Sequence, residues 1–246
     1  MNISREFGRC ASFINSQFQY STGDRAAGEA GKCAVAVSRQ SGCGAHVFAE
    51  KVVAAIEAQR RPDDRPWAIF DRKLVEAVLS DHGLPATLER FMPEDRVSRL
   101  DDIIQDIFNL HPPTEVLVRQ TAETILRLAD LGNVIIVGRG ANVIAGKLPH
   151  VISVRLIAPR ELRISHMERY DKLTSREADE RIEREDGGRK RYLKKYFNCD
   201  IDDPLIYDLV VNTKSVSLDE AARMVANLVH ARQQEQRAGE QVHVAH

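Results

Sequence analysis

Short apolar runs alternate with amphipathic stretches along most of the chain, and the alternation predicts strand followed by helix several times over. Residues 33 to 37 read as a buried strand, after which Val47, Val52, Val53 and Ile56 space as one face of a helix ending in Gln59-Arg60-Arg61-Pro62. Trp67-Ala68-Ile69-Phe70 reads as a second strand closing on Asp71, with a helix behind it that carries Leu74, Val75, Val78 and Leu79 as far as Gly83. From Pro93 to Leu110 a mostly polar helix shows the stripe Val97, Leu100, Ile103, Ile104 and Ile107, an excursion from the sheet that His111-Pro112-Pro113 breaks. Thr114 is placed to cap the next helix, with Val116, Leu117, Thr121, Ile125 and Leu128 inward and Leu131-Gly132 as its stop. Asn133 to Val137, Val151 to Ile157 and Leu209-Val210-Val211 read as three more strands. An Arg-rich helical stretch runs from Pro159 to about residue 197, and Ser217 caps a last helix with Ala221, Val225 and Leu228 on one side. Five strands separated by helices predict an α/β fold, a parallel sheet covered on both faces.

Composition narrows the class of protein. A chain of 246 residues with 43% hydrophobic content can bury a full core. Its formal net charge of −1 argues against a nucleic-acid or membrane-surface protein, so any basic site is local. Cys10, Cys33, Cys43 and Cys199 are scattered with no C-x-x-C pair, which fits reduced thiols in the cytoplasm and no metal site. No apolar run approaches the roughly eighteen residues of a membrane span. Residues 1 to 31 read as an irregular extension, and residues 231 to 246, with His243 and His246, as a flexible, solvated tail.

Three predicted strand ends carry groups suited to an anionic ligand, and in open α/β sheets ligands bind beyond those ends. The first strand runs through Ser38-Arg39-Gln40-Ser41 into Gly42-Cys43-Gly44 and a helix. That is the layout of a phosphate-binding loop, whose amides converge on an anion at the positive end of the helix dipole. The full motif places a lysine and a hydroxyl after the last glycine. Here Ala45 follows Gly44. Asp71 closes the second strand. Gly138-Arg139-Gly140 closes the third, with glycines that clear the way for a bidentate guanidinium. Farther on, Asp186-Gly187-Gly188 precedes Arg189-Lys190-Arg191, a basic string with no acid beside it, and the glycine pair reads as a hinge for a lid over phosphates. Asp186 is placed to orient Arg189, to approach a nucleotide, or to form an ordinary salt bridge.

Ser38-Arg39-Gln40, the Gly42-Cys43-Gly44 loop, Phe70-Asp71, Val137-Gly138-Arg139-Gly140, Asp186-x-x-Arg189 with Tyr192, and Tyr207-Asp208-Leu209-Val210-Val211-Asn212-Thr213 occur in the order seen in cytidylate kinase-like proteins. The resemblance covers about residues 33 to 230. It implies a P-loop nucleoside monophosphate kinase fold over residues 32 to 230, with a nucleoside-monophosphate-binding insertion at 83 to 113 and an Arg-rich lid at 165 to 200. In cytidylate kinases a lysine and a threonine follow the last glycine, and the kinase-like branch often has glycine and arginine there. Ala45 and His46 hold those places in this chain, with Val47 where the hydroxyl would be, and Gly140 replaces an acid.

The resemblance implies transfer of the γ-phosphoryl of ATP, with Mg2+, to CMP or a related nucleotide. Ser38, Arg39, Gly42, Cys43, Gly44, Ala45 and His46 would then face the donor. Gly138, Arg139, Asp71 and Asp186 would face the acceptor, and Arg163 and Arg189 would close over the transferring group, with Arg139 and Asp71 also in the catalytic set. The alternative is a sensor on the same fold that binds a nucleotide or phosphate with weak or no transfer. The implied partner is a small-molecule nucleotide rather than a nucleic acid or membrane, and the oligomeric state is left open.

Overall fold

The computed structural model describes residues 31–61, 64–75, 94–108, 116–138 and 140–244. Five parallel strands form one sheet: β1 (Ala34–Arg39), β2 (Ala68–Phe70), β3 (Val134–Val137), β4 (Val151–Ile157) and β5 (Leu209–Asn212), in the order β2-β3-β1-β4-β5. The helices are α1 (Ala45–Glu57), α2 (Glu94–Phe108), α3 (Val116–Leu131), the short α4 (Ala141–Ile144), α5 (Arg160–Asp171), α6 (Ser175–Phe197) and α7 (Leu218–Val244).

The central strands are apolar throughout because both their faces are covered. Along β1 the pleat sends Ala34 and Ala36 to one side, where they meet Ile125, Leu128 and Ile144 of α3 and α4. Val35 and Val37 go to the other side, against Phe48 and Val52 of α1 and Val225 and Val229 of α7. β1 thus separates two cores. Its neighbours β3 and β4 lead off on opposite sides, so the crevice at its carboxyl end is the switch point of the sheet.

Register brings the decorated ends level. Val37 sits opposite both Val137 and Val154, and Phe70 opposite Ile136. Asp71, Gly138 and the loop after Arg39 therefore emerge along one edge.

Three expectations need correction. The Arg-rich stretch is two helices: the chain turns at Lys172 in the left-handed region (φ 59°), and Thr174 and Glu177 then form a reciprocal capping box. The Gly187-Gly188 hinge is absent, since α6 runs unbroken through both residues, held by buried Ile182 before them and Leu193 after. The tail from residue 231 is an extension of α7 to Val244, where Gln233 is buried and Arg237 Nη2 donates to Asp64 Oδ1 at 2.6 Å. Residues 1–30 and much of the expected insertion, 83 to 93 and 109 to 113, lie outside the described residues.

Candidate active site

The loop between β1 and α1 is shaped by glycine. Gly44 is the N-cap of α1 and offers no capping side chain. The first intrahelical bond is Phe48 N–H to Gly44 O at 2.9 Å. The amides of Ala45, His46 and Val47 are thereby left to an outside acceptor, at the positive end of the helix. Gly42 has φ 85°, and a Cβ there would fall 2.7 Å from the Arg163 carbonyl. Only glycine lets α5 close on the loop.

Arg163 is the post of this arrangement. It is buried, with Nε on Ala158 O at 3.1 Å and Nη1 on Ser41 O at 3.2 Å and Asp186 Oδ2 at 2.6 Å. Asp186 Oδ1 in turn accepts from Ser41 N–H at 2.8 Å and from Arg189 Nη1 at 2.8 Å. Arg189 Nη1 also donates to Ser41 Oγ at 2.5 Å, while its Nη2 and the Ser41 hydroxyl share Glu185 Oε2 at 2.9 and 2.6 Å. Burial works against the Glu185 carboxylate, but the Ser41 and Arg181 hydrogen bonds and the Arg189 charge outweigh it and hold its pKa down to about 2. The basic string therefore does have acids beside it, at i−3 and i−4 of Arg189. Lys190 is paired as well, with Asp202 at 2.9 Å.

Arg39 lies among these groups. Its guanidinium packs against Gly138 within the fields of Arg189, Glu185, Asp71 and Asp186. Burial, followed by the charge of Arg189, pulls its pKa down to about 10. Among the described residues, no acceptor takes a hydrogen bond from it. A half-buried cation in that condition is stabilised by any anion that enters.

The remaining expected residues divide. Asp71 stands at the strand ends as expected, but its Oδ1 accepts Leu74 N–H at 3.0 Å, capping the helical turn that follows. Cys43 is buried and its thiol is pushed up to about 11, chiefly by burial, so its contribution to the loop is its backbone. Ala45 is buried at the start of α1, and His46 is exposed, 3.5 Å from Glu50. Ser38 points elsewhere. Its Oγ lies 3.3 Å from Tyr207 Oη and accepts from Arg155 Nη1 at 3.1 Å. Gly138 has φ 92° beside Arg39. Arg139 lies outside the described residues, although α6 packs on the turn next to it, with Phe197 3.4 Å from a Cβ built on Gly140.

Sequence reasoning missed four contributors. Gln40 Oε1 accepts Ala158 N–H at 3.0 Å, and His166 Nδ1 lies 3.0 Å from Gly42 O. Ser41 and Glu185 complete the clamp. His166 follows Arg163 by one helical turn, which was a readable signal; the pairing of Ser41 with Glu185, 144 positions away, was not.

A helix end with free amides, a half-buried guanidinium with no hydrogen-bond acceptor among the described residues and a clamp of two arginines thus meet at the carboxyl ends of the strands, an arrangement suited to an anion. Residues 34–215 match the model of the Cytidylate kinase-like family. The chain belongs to that family. It is 33% identical over 149 residues to the cytidylate kinase of Pyrococcus furiosus, spanning 60% of this chain and 74% of that one. It is 32% identical over 159 residues to the cytidylate kinase of Methanopyrus kandleri, spanning 61% and 79%. Among solved structures, an uncharacterized protein from Eubacterium ventriosum superposes with a TM-score of 0.64 at 18% identity, over 81% of this chain and 99% of that one. That likeness confirms the fold.

Family membership sharpens what this member lacks. The first turn of α1 is Ala45-His46-Val47, which offers no hydroxyl or carboxylate oxygen. It does not fit as a magnesium ligand. Among the described residues, no three His, Cys, Asp or Glu side chains gather as a metal site, and no helix is long and apolar enough to cross a membrane. Cys33, Cys43 and Cys199 are free thiols.

Proposed function

We propose that this protein is a nucleotide kinase that moves the γ-phosphoryl of ATP to CMP or a related nucleoside monophosphate in the cytoplasm. Magnesium arrives as part of the ATP complex, and no protein ligand in the loop is assigned to it. The observation that carries the reading is Arg39. Phosphoryl transfer rests on positioning and on neutralising charge around the transferring group, with little covalent work for the protein. A loop lysine is the usual cation. Arg39 takes that part here from the end of β1, backed by Arg163 and Arg189, and the amides of Ala45, His46 and Val47 receive the donor phosphates. Arg139, between two glycines, would hold the acceptor phosphate, and Asp71 would orient the acceptor.

Asp186 occupies the Ser41 amide and ties both clamp arginines. Together with Val47, this favours a second reading, a sensor that binds nucleotide and turns over slowly or not at all.

A coupled assay with ATP, magnesium and a panel of nucleoside monophosphates separates the two. Turnover that drops roughly a hundred- to a thousandfold in Arg39→Met supports the kinase, since loss of one such stabilising group costs about 2.7 to 4 kcal/mol. Tight nucleotide binding by calorimetry with no turnover for any acceptor selects the sensor.

A further inference from the structure

Arg155 is a buried charge inside β4, where Ile152, Val154 and Leu156 are apolar and buried. An apolar side chain of similar volume is often as stable in such a place as a paired charge, or more so. Stability alone therefore does not account for the guanidinium. What it does is join segments. Arg155 stands opposite Ser38 of β1 on one side and Val210 of β5 on the other, one residue beyond the level of Val37 and Val154 and so at the carboxyl edge of the sheet.

Its planar fork is divided between two arms. Nη1 donates to Ser38 Oγ at 3.1 Å and lies 3.4 Å from Tyr207 Oη, while Nη2 donates to Asp202 Oδ1 at 2.9 Å. Tyr207 gives its own hydroxyl proton to Ile201 O at 2.9 Å, so its lone pairs receive the Ser38 O–H across 3.3 Å. A closed ring results: Arg155 to Ser38, Ser38 to Tyr207, Tyr207 to the Ile201 carbonyl, and back to Arg155 through the carboxylate of adjacent Asp202. Ser38, Tyr207 and Ile201 are buried with it, and the guanidinium carbon lies 5.5 Å from the centre of the Tyr207 ring.

Both arms lead to the candidate site. Ser38 immediately precedes Arg39, and the charge of Arg155 bears on the Cys43 thiol, which puts the ring beside the glycine loop. Asp202 follows α6, and its Oδ2 accepts from Lys190 Nζ at 2.9 Å, one residue past Arg189. Adjacent residues on a helix point about 100° apart. α6 is thus held on two sides, at Lys190 by Asp202 and at Asp186 and Arg189 by Ser41. The Lys190 pair is exposed and worth little alone; the buried arm from Asp202 to Arg155 gives it a fixed seat.

We propose that Arg155 is a positioning residue: through Ser38 and Asp202 it fixes how the end of β1 that carries Arg39 and the side of α6 that carries Arg189 stand relative to each other. Its effect on turnover rests on the kinase reading; its effect on the seat of α6 does not.

The test is amide hydrogen exchange, resolved by NMR on the full chain, run beside the coupled assay. Ser41 N–H is held by Asp186, so its exchange reports on the seat of α6, whereas the Ala36 amide inside β1 reports on opening of the sheet as a whole. Asp202→Asn weakens one arm of the fork, Ser38→Ala deletes the acceptor of the other, and Arg155→Met removes both. The expected result is Ser41 exchange at least about tenfold faster in Asp202→Asn and Arg155→Met, with Ala36 unchanged. Turnover is expected to fall about tenfold or more in all three variants while the KM for ATP stays within about twofold, since misplaced groups cost rate more than binding. If Arg155→Met does not fold, the other two variants decide. Ser41 and Ala36 accelerating by the same factor in Asp202→Asn would overturn the proposal, leaving Arg155 a role in stability alone. So would unchanged Ser41 exchange, or parental turnover in both Ser38→Ala and Asp202→Asn. A parent without turnover defeats the kinase reading instead, and the exchange rates still decide whether Arg155 seats α6.

Discussion

Arg39 packs so closely on Gly138 that a Cβ built there would fall 1.9 Å from its Nη1. Gly138 also has φ 92°, a backbone state that side chains rarely adopt. Gly138→Ala must therefore strain the turn and move the guanidinium out of the strand-end crevice. The expected cost is roughly 1–3 kcal/mol of stability, together with at least tenfold lower turnover. Gly146→Ala is the control, because its nearest neighbour would be Ser153 Oγ at an ordinary 3.5 Å. Urea denaturation and the coupled assay read the two effects. Normal turnover by a folded Gly138→Ala protein would remove Arg39 from the site.

Asp186 accepts from Ser41 N–H, Arg163 and Arg189 at once, so Asp186→Asn deprives three donors of a charged acceptor. Arg163 is then left buried with only the Ala158 and Ser41 carbonyls. An uncompensated buried charge is costly, and a loss of about 3 kcal/mol is expected from the urea midpoint. A loss within about 0.5 kcal/mol, the range of ordinary surface substitutions, would mean that the clamp is not a stabilising unit.

Gly188 lies inside continuous α6 with nothing within 4 Å of an added Cβ. If the helix moves as one rod, Gly188→Ala stabilises it by about 0.5–1 kcal/mol. Turnover then stays at the parental level. A stabilised protein with reduced turnover would restore the hinge that the glycine pair suggests in the sequence, and thermal melts run beside the coupled assay distinguish the cases.

The sheet was legible because its central strands have no polar face to confuse the pattern: Ala34 to Val37 and Val134 to Val137 are apolar and buried at every position. The glycine loop was legible for a related reason, since a turn that tight needs residues such as Gly42. The break after Asp171 was also written in the chain, as Thr174 and Glu177 at capping-box spacing, but was overlooked within a run of helix formers. Gly187-Gly188 misled for the opposite reason. Local propensity favours a break there, and the anchorage of α6 through Ile182 and Leu193 overrides it. The clamp was half visible. Arg163, Arg189 and Asp186 stand out by charge and context, whereas the pairing of Ser41 with Glu185 and the packing of Arg39 on Gly138 exist only once distant segments meet. Polar composition likewise hid the buried side of α7, where Gln233 and Arg237 pack on the body of the domain.

His150 is buried against the end of α3, its Nε2 donating to Ala129 O at 3.1 Å. Burial, aided by the nearby Lys32 charge, lowers its pKa from 6.5 to about 4. Between those values the unfolded chain holds a proton that the native protein refuses, so stability is full above about pH 6.5 and is lost as pH falls toward 4. The loss is on the order of 3 kcal/mol across that window, from roughly 1.4 kcal/mol per unit. His150→Gln keeps a donor for Ala129 O and removes the titration. Urea midpoints measured from pH 7 to pH 4 are therefore expected to fall more steeply in the parent than in the variant, and parallel curves would show that His150 is not the group that sets the slope.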